Sequence, residues 1–274
     1  MSVCAIIVTY NPNMMEFSNY YHLNRKEVDY TLIVDNSEDS MIKKEIALLG
    51  NSENTELIDL GGNKGIAYAQ NIGIKRVKEL QKFKYILFLD QDTLLMKGSL
   101  SNYMRYYNEL SKTYSIAALG VSNGSDEEYS RVNQIISSGT FSPLKVFDDV
   151  GYFDESLFID FVEYDWCWRA LEKNYSIFSI NIVKIKHMHG SGKIHLFGFS
   201  MVIPSNIRLY YQYRNILFLL HRKYVPLKWK IKMVLKMILK IPLYFLLLPH
   251  RKKTLKYLLK AFRDYFLNKK GKIV

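Results

Sequence analysis

The stretch Tyr85-Ile86-Leu87-Phe88-Leu89-Asp90-Gln91-Asp92 is an unbroken apolar and aromatic run that ends in two carboxylates with one residue between them. Such a run, bounded by polar residues, reads as a strand buried on both faces. Three earlier runs have the same form. Val3–Thr9 meets Tyr10-Asn11-Pro12, Tyr30–Val34 meets Asp35-Asn36-Ser37, and Glu56–Leu60 meets Gly61-Gly62-Asn63. Helical stretches lie between them, Gly65–Gln81 being the clearest. Strands alternating with helices predict βαβ units and a mainly parallel sheet, an α/β fold with helices flanking the sheet. Sheets of that kind bind ligands outside the carboxyl ends of their strands. All four runs end there in polar residues or glycines.

Further along, Ser115–Val121 reads as a strand, and Ile135–Thr140 as another that carries Ser137-Ser138-Gly139. A turn-rich approach over Asp148–Glu155 leads to a helix from about Phe161 to Lys173, and Ile177–Ile185 reads as a late strand. The Gly- and Ser-rich segment His189–Ile203 reads as a mobile loop. From Pro204 the pattern is helical: Pro204–His221 opened by its proline, then Pro226–Leu248, then Lys252–Asn268.

With 49% hydrophobic residues in 274, the chain can bury a substantial core and needs no disulfide scaffold. Its two cysteines, Cys4 and Cys167, read as buried structural thiols, which fits a reducing compartment. The N-terminal run is short and lacks a basic lead-in, so it reads as a strand and not as a signal peptide. The net charge is +12, unevenly spread. Residues 222–274 hold 16 Lys/Arg and one acid, Asp264, a charge of +15, so residues 1–221 carry −3. We therefore expect two units: a mildly acidic domain over 1–221 and a basic helical extension over 222–274. Such an extension seeks an anionic partner, membrane lipid or nucleic acid. In Lys228–Lys240 the lysines interleave with Trp229, Ile231, Met233, Leu235 and other apolar residues. The longest uncharged stretch of residues 222–274, Ile241–His250, falls short of the roughly 20 residues a span needs. A basic amphipathic helix lying in a membrane interface fits better. A nucleic-acid binder would spread its cations along a groove with exposed aromatics, and here they are pooled in the tail.

Four constellations carry chemistry. Asp90-Gln91-Asp92 can give a hard divalent cation one or two oxygen ligands while diphosphate supplies the rest, although a plain polar turn would look alike. Asp160, Glu163 and Asp165 stand among aromatic and aliphatic residues, where a carboxylate has raised proton affinity and suits a general base; acids at a helix start are the simpler account. His187 and His189, beside a Gly-rich loop, can complete a metal or diphosphate site or be structural. Arg208, Tyr211, Arg214 and Asn215 share a helix face, and arginine suits diphosphate.

Taken in order, these stretches resemble the family 2 glycosyltransferases of the GT-A fold, and most of all their bacterial rhamnosyltransferase branch. The likeness rests on Ile6–Asn11, Ile33–Ser37, Asn63–Gly73, Leu89–Asp92, Phe158–Arg169, His187–Gly190 and Arg208–Asn215, and it covers about residues 3–220. It implies a Rossmann-like, nucleotide-binding half and an inverting transfer from a nucleotide sugar, assisted by Mn²⁺ or Mg²⁺. Thr9, Tyr10, Asn11 and Asp35 would cradle base and ribose. Asn63, Gly65 and Asn71 would border the nucleotide or sugar, Asp90 and Gln91 would lie by the ribose, and Arg208 and Arg214 would face the diphosphate. Asp92 would hold the metal, with His187 as second ligand. Glu163 aligns with the family's base, usually an aspartate; the order Glu163-x-Asp165 reverses the branch's usual one and keeps Asp160 and Asp165 as alternatives. The branch implies dTDP-L-rhamnose as donor and a lipid-linked saccharide as acceptor, in cell-surface polysaccharide synthesis at the cytoplasmic face of the bacterial plasma membrane. UDP-sugars, UDP-galactofuranose among them, stay open as donors, as does a homodimer. A scaffold without catalysis would not need the full set of acids.

Overall fold

The computed structural model describes residues 2–122, 124–187, 193–196, 199–202, 204–247 and 251–273, without the side chains of 187–202 and 243–247. The four opening runs form β1 (Val3–Thr9), β2 (Tyr30–Asp35), β3 (Thr55–Asp59) and β4 (Tyr85–Asp90). They pair in parallel in the order β3-β2-β1-β4. Helices α1 (Met14–Asn24), α2 (Ser40–Gly50) and α3 (Ile66–Leu80) make the crossovers. Asn13 and Asp39 cap α1 and α2 through side-chain oxygens that accept from the first-turn amides. After β4 come a short β5 (Thr93–Leu95), helix α4 (Ser99–Leu110) and the strands β6 (Ile116–Gly120), β7 (Tyr129–Arg131), β8 (Thr140–Pro143) and, later, β9 (Ser176–Ile180). These extend the sheet to eight strands, β3-β2-β1-β4-β8-β6-β9-β7, with β4–β8, β6–β8 and β7–β9 antiparallel.

Alternation along the strands feeds two cores. Cys4, Ile6, Val8, Leu32, Val34 and Phe88 pack on one face with α3 and with α6 (Val162–Glu172). Val3, Ala5, Ile7, Ile33, Leu87 and Leu89 pack on the other with α1, α2 and α4. Both cysteines are buried, unpaired and part of the first core.

Three expectations for the second half are corrected. The strand expected over Ile135–Thr140 begins only at Thr140, because the chain turns at Gly139 (φ 77°), whose amide donates to the Phe88 carbonyl at 2.8 Å. The late strand divides into β9 and β10 (Ile185–His187). Asn181 causes the break: its amide group donates to the Glu127 carbonyl and to the Ser130 hydroxyl, which turns the chain. Within the segment read as a mobile loop, β11 (Lys193–Leu196) and β12 (Phe199–Val202) form an antiparallel ladder. A short helix α5 (Val146–Asp149) and a 3₁₀ turn (Glu155–Leu157) precede α6. His189 lies outside the described residues.

The C-terminal helices are α7 (Asn206–Leu220), α8 (Leu227–Leu247) and α9 (Arg251–Phe266). Ser205, and not Pro204, caps α7: its hydroxyl accepts from the Arg208 amide. Residues 222–274 are not a detached appendage. Trp229, Met233, Met237, Leu258 and Ala261 share a third core with Phe158, Trp168 and the apolar side of α7. Arg222 bonds Asp165, the one tail acid Asp264 accepts from the Tyr210 hydroxyl at 2.9 Å, and Gly271 donates to the Ser156 carbonyl at 2.8 Å. Among the described residues no helix is long and apolar enough to cross a membrane.

Candidate active site

A cleft of about 440 Å³ opens at the carboxyl ends of β1, β2 and β4. On its strand side stand Thr9, Tyr10, Asn36, Asn63, Gly65, Asp90, Gln91 and Asp92. On the other stand Phe158, Asp160, Phe161, Glu163, Tyr164 and Arg208.

The strand side is tied together by side chains that brace backbone. Asp35 is buried behind the cleft; it accepts from the Thr9 hydroxyl at 2.8 Å and from the Ser37 amide at 2.9 Å. Asn11 (φ 42°) accepts from the Glu38 and Asp39 amides and pins the loop after β2. Neither Asp35 nor Asn11 lines the cleft. Asn36 does, accepting from the Lys64 amide at 2.9 Å and donating to the Gly65 carbonyl at 3.3 Å. Gln91 clasps the Tyr10 backbone: its Oε1 accepts from the Tyr10 amide at 2.7 Å and its Nε2 donates to the Tyr10 carbonyl at 3.4 Å. Tyr10 itself is exposed at the mouth. Asp90 and Asp92 both reach the cleft, one ending β4 and one preceding β5. Strand β10 pairs with β5 and sets the His187 backbone opposite Thr93, next to Asp92; the His187 side chain lies outside what the structure describes. Among the described residues no three His, Cys, Asp or Glu converge as a complete metal cage. Two carboxylates that open into one cleft, Asp90 and Asp92, still fit a divalent cation that takes its remaining ligands from substrate oxygens.

The opposite side is strained backbone. Phe158, Asp160 and Phe161 have φ of 65°, 66° and 66°, a left-handed conformation that non-glycine residues rarely adopt. Strain of this kind persists only where the surroundings over-determine it. Here Asn215 does so, donating through Nδ2 to the carbonyls of Leu157 (2.9 Å), Ile159 (2.8 Å) and Asp160 (3.1 Å). Arg214, fully buried, donates to the carbonyls of Ser156, Leu157 and Gly271. Arg214 therefore holds the segment from behind and does not face the cleft, contrary to its reading as a diphosphate ligand. Asn71 is likewise turned inward, bonded to the Phe153 backbone and to Glu155, and does not line the cleft.

The three candidate bases separate. Asp165 is fully buried and takes bonds from Arg222, Tyr224 and Arg169, away from the cleft. Asp160 lines the cleft with both oxygens committed to Arg208. Glu163 opens narrowly into the cleft while protein surrounds the rest of it. Burial pushes its carboxyl up to about 7, nearby Asp90 and Asp160 add to this, and Arg208 opposes it. A carboxylate poised there can take a proton near neutrality.

Reading by residue type missed Asn36, Ser137, Phe158 and Tyr164 as cleft-lining positions. Asn36 stands at a strand end beside Asp35, which was signal enough. Ser137 is delivered by the turn before β8, where Gln70 donates to its hydroxyl.

Residues 4–200 match the family described as Glycosyl transferase family 2. The chain is 32% identical over 254 residues to the dTDP-rhamnosyl transferase RfbF of Shigella flexneri, covering 85% of this chain and 84% of that protein. A weaker likeness, 23% over 183 residues and 57% of this chain (58% of the relative), is to the low-salt glycan biosynthesis hexosyltransferase Agl10 of Haloferax volcanii. Among solved structures, TarS of S. aureus in complex with UDP-GlcNAc matches with TM-score 0.60 at 14% identity, over 98% of this chain and 82% of that one. GalNAc-T7 with UDP, GalNAc and Mn²⁺ matches with TM-score 0.58 at 11% identity, over 73% of this chain and 45% of that one. Likenesses this low in identity speak for the fold, a GT-A architecture.

Proposed function

The chain belongs to glycosyl transferase family 2, and from that premise we propose that it moves L-rhamnose from dTDP-L-rhamnose to a hydroxyl of a lipid-linked saccharide, with inversion, in cell-surface polysaccharide synthesis. The donor assignment draws on the similarity to the Shigella flexneri rhamnosyl transferase over most of both chains. The single observation that carries the mechanism is Glu163, a carboxyl pushed up to about 7 that opens into the same cleft as Asp90 and Asp92.

In this reading the nucleotide lies along the strand ends, with Tyr10 at the mouth and Asp90 by the ribose. Arg208, the one Lys or Arg lining the cleft among the described residues, faces the diphosphate. Asp92, with His187 beside it in the chain pairing, would hold Mn²⁺ or Mg²⁺, which when bound neutralises charge on the departing diphosphate. Glu163 accepts the proton of the acceptor hydroxyl as that oxygen attacks the anomeric carbon. The new C–O bond forms on the face opposite the breaking bond to phosphate, which inverts the centre. The apolar neighbours of Glu163 keep water from levelling its basicity. Such an enzyme works where its lipid-linked acceptor is, peripherally at the cytoplasmic face of the membrane.

A thermal-shift screen of dTDP-L-rhamnose against UDP-sugars, with and without Mn²⁺ or Mg²⁺, tests the donor. Selective stabilisation by dTDP-L-rhamnose is expected. Selective stabilisation by a UDP-sugar would reassign it.

A further inference from the structure

We propose that the outer face of α8 is a docking surface for a bilayer with anionic headgroups, seating the enzyme with its cleft rim beside the helix. The idea rests on the reading above only for its lipid-linked acceptor. Helix α8 has two apolar faces. Trp229, Met233 and Met237, one per turn, are each only 8% exposed and belong to the third core. The opposite face points to water, yet it carries Leu227 (70% exposed), Ile231 (53%), Leu235 (55%), Ile238 (61%) and Leu239 (66%). A helix that packs one face on a core ordinarily turns polar residues outward. A contiguous exposed apolar patch marks a surface that something else covers.

The cations say what covers it. Lys228, Lys232 and Lys236 follow one another at i, i+4 along the edge of the apolar stripe. With Ile231, Leu235 and Leu239 they line one shallow groove of about 400 Å³. Helix α8 contains no acidic residue, and no ion pair to these lysines occurs among the described residues. Burial lowers the Lys236 ammonium, and Lys232 and Lys240 push it the same way, so the row repels itself until anions arrive. Aliphatic residues that can enter the acyl boundary, rimmed by lysines that meet anionic headgroups, fit a helix lying flat in a bilayer interface. The inner face gives the docked helix its link to the site. Trp229 meets Phe161 edge to face, centroids 5.5 Å apart, and Phe161 lines the cleft. One side chain thus separates the docking helix from the wall that carries Glu163.

Deleting residues 226–274 cannot test this, because it would strip Trp229, Met233, Met237, Leu258 and Ala261 from the third core. Two outer-face variants of the full chain can: K228A/K232A/K236A and I231S/L235S/L239S. The probes are vesicles of phosphatidylcholine alone and of phosphatidylcholine with a third of phosphatidylglycerol. In flotation the wild type should bind only the anionic vesicles. The lysine variant should bind them on the order of a hundredfold more weakly, at about 1 kcal/mol per lysine. The serine variant should lose binding to a similar extent. Both should keep the wild-type melting temperature within a few degrees and the wild-type thermal shift with dTDP-L-rhamnose. Undiminished flotation of both variants, or equal binding of the wild type to both vesicles, would overturn the proposal. So would a wild-type dimer in sedimentation equilibrium that the serine variant makes monomeric without any vesicle binding, since a second copy would then cover the face. Failure of the donor reading looks different: no nucleotide-sugar shift in the wild type, with flotation intact.

Discussion

Arg208 grips Asp160 through two parallel bonds, Nε to Oδ2 at 2.9 Å and Nη2 to Oδ1 at 2.6 Å. A bidentate fork of this kind commits both carboxylate oxygens of Asp160 to the guanidinium and away from an acceptor hydroxyl. Asp160→Asn should therefore keep turnover within about tenfold of wild type, whereas removing a general base costs about 10²–10⁴-fold. The variant also removes a negative charge that raises the Glu163 carboxyl and frees an arginine that lowers it. Both changes act in one direction, so the acid limb of its pH–rate profile should move to lower pH. A profile that stayed put, or moved up, would mean the pair does not act on Glu163.

Glu163 sets the second expectation. Its carboxyl stands at about 7 against an ordinary value of 4.5. As a base it works when deprotonated, so kcat/KM should rise about tenfold per pH unit below 7 and level off above it. The same shift destabilises the fold as pH rises: the folded state holds the proton more tightly, so stability is lost between about 4.5 and 7. Glu163→Gln should then abolish transfer and, at pH 8, melt higher than wild type by up to about 3 kcal/mol of stability, at 1.36 kcal/mol per unit. At pH 4 the gain should vanish. Paired rate and melting measurements across that range check both signs.

The parallel half of the fold was legible because β1, β2 and β4 are buried on both faces, so Val3–Thr9 and Tyr85–Asp90 are unbroken apolar runs that polar residues stop. The site followed from those stops: Thr9, Tyr10, Asn63, Gly65, Asp90, Gln91 and Asp92 all reach the cleft. Arg214 was not legible. Arginine on a helix face looks the same from sequence whether it meets a ligand or the carbonyls of a strained segment, and only the left-handed φ values at 158, 160 and 161 reveal what it is needed for. Nor was the third core, because Met233 and Met237 pack against residues some 70 positions earlier, and periodicity records that a face is apolar without recording what covers it.

Gly65 opens α3 with φ 91°, and a Cβ there would meet Phe158 Cδ2 at 2.6 Å and its carbonyl oxygen at 2.7 Å. The Ile66 amide already donates to that carbonyl at 2.9 Å, so the two cleft walls touch at this point. Gly65→Ala should destabilise by about 2–4 kcal/mol, combining left-handed strain with overpacking. It should also loosen nucleotide-sugar binding by pushing the walls apart. A melt shows the first and a titration with dTDP-L-rhamnose the second; a normal melt with normal binding would mean that Phe158 yields without effect.

Asp165 is the acid whose role the structure changes most. It has no exposure, and Arg222, Tyr224 and Arg169 all bond to it; Arg222 also reaches Asp154. Arg222 thereby fastens the start of the basic segment to α6, on the side away from the cleft. Removing one partner of a buried ion pair leaves the other charge stranded, a loss of about 3–5 kcal/mol. Arg222→Ala should therefore lower the melting temperature by about 10 °C, at 2–4 °C per kcal/mol for a chain of this size. Below the melt, the surviving folded protein should keep the wild-type acid limb near pH 7, because Glu163 and its neighbours Asp90, Asp160 and Arg208 are untouched. A variant with a normal melt but a displaced pH profile would return Asp165 to the chemistry.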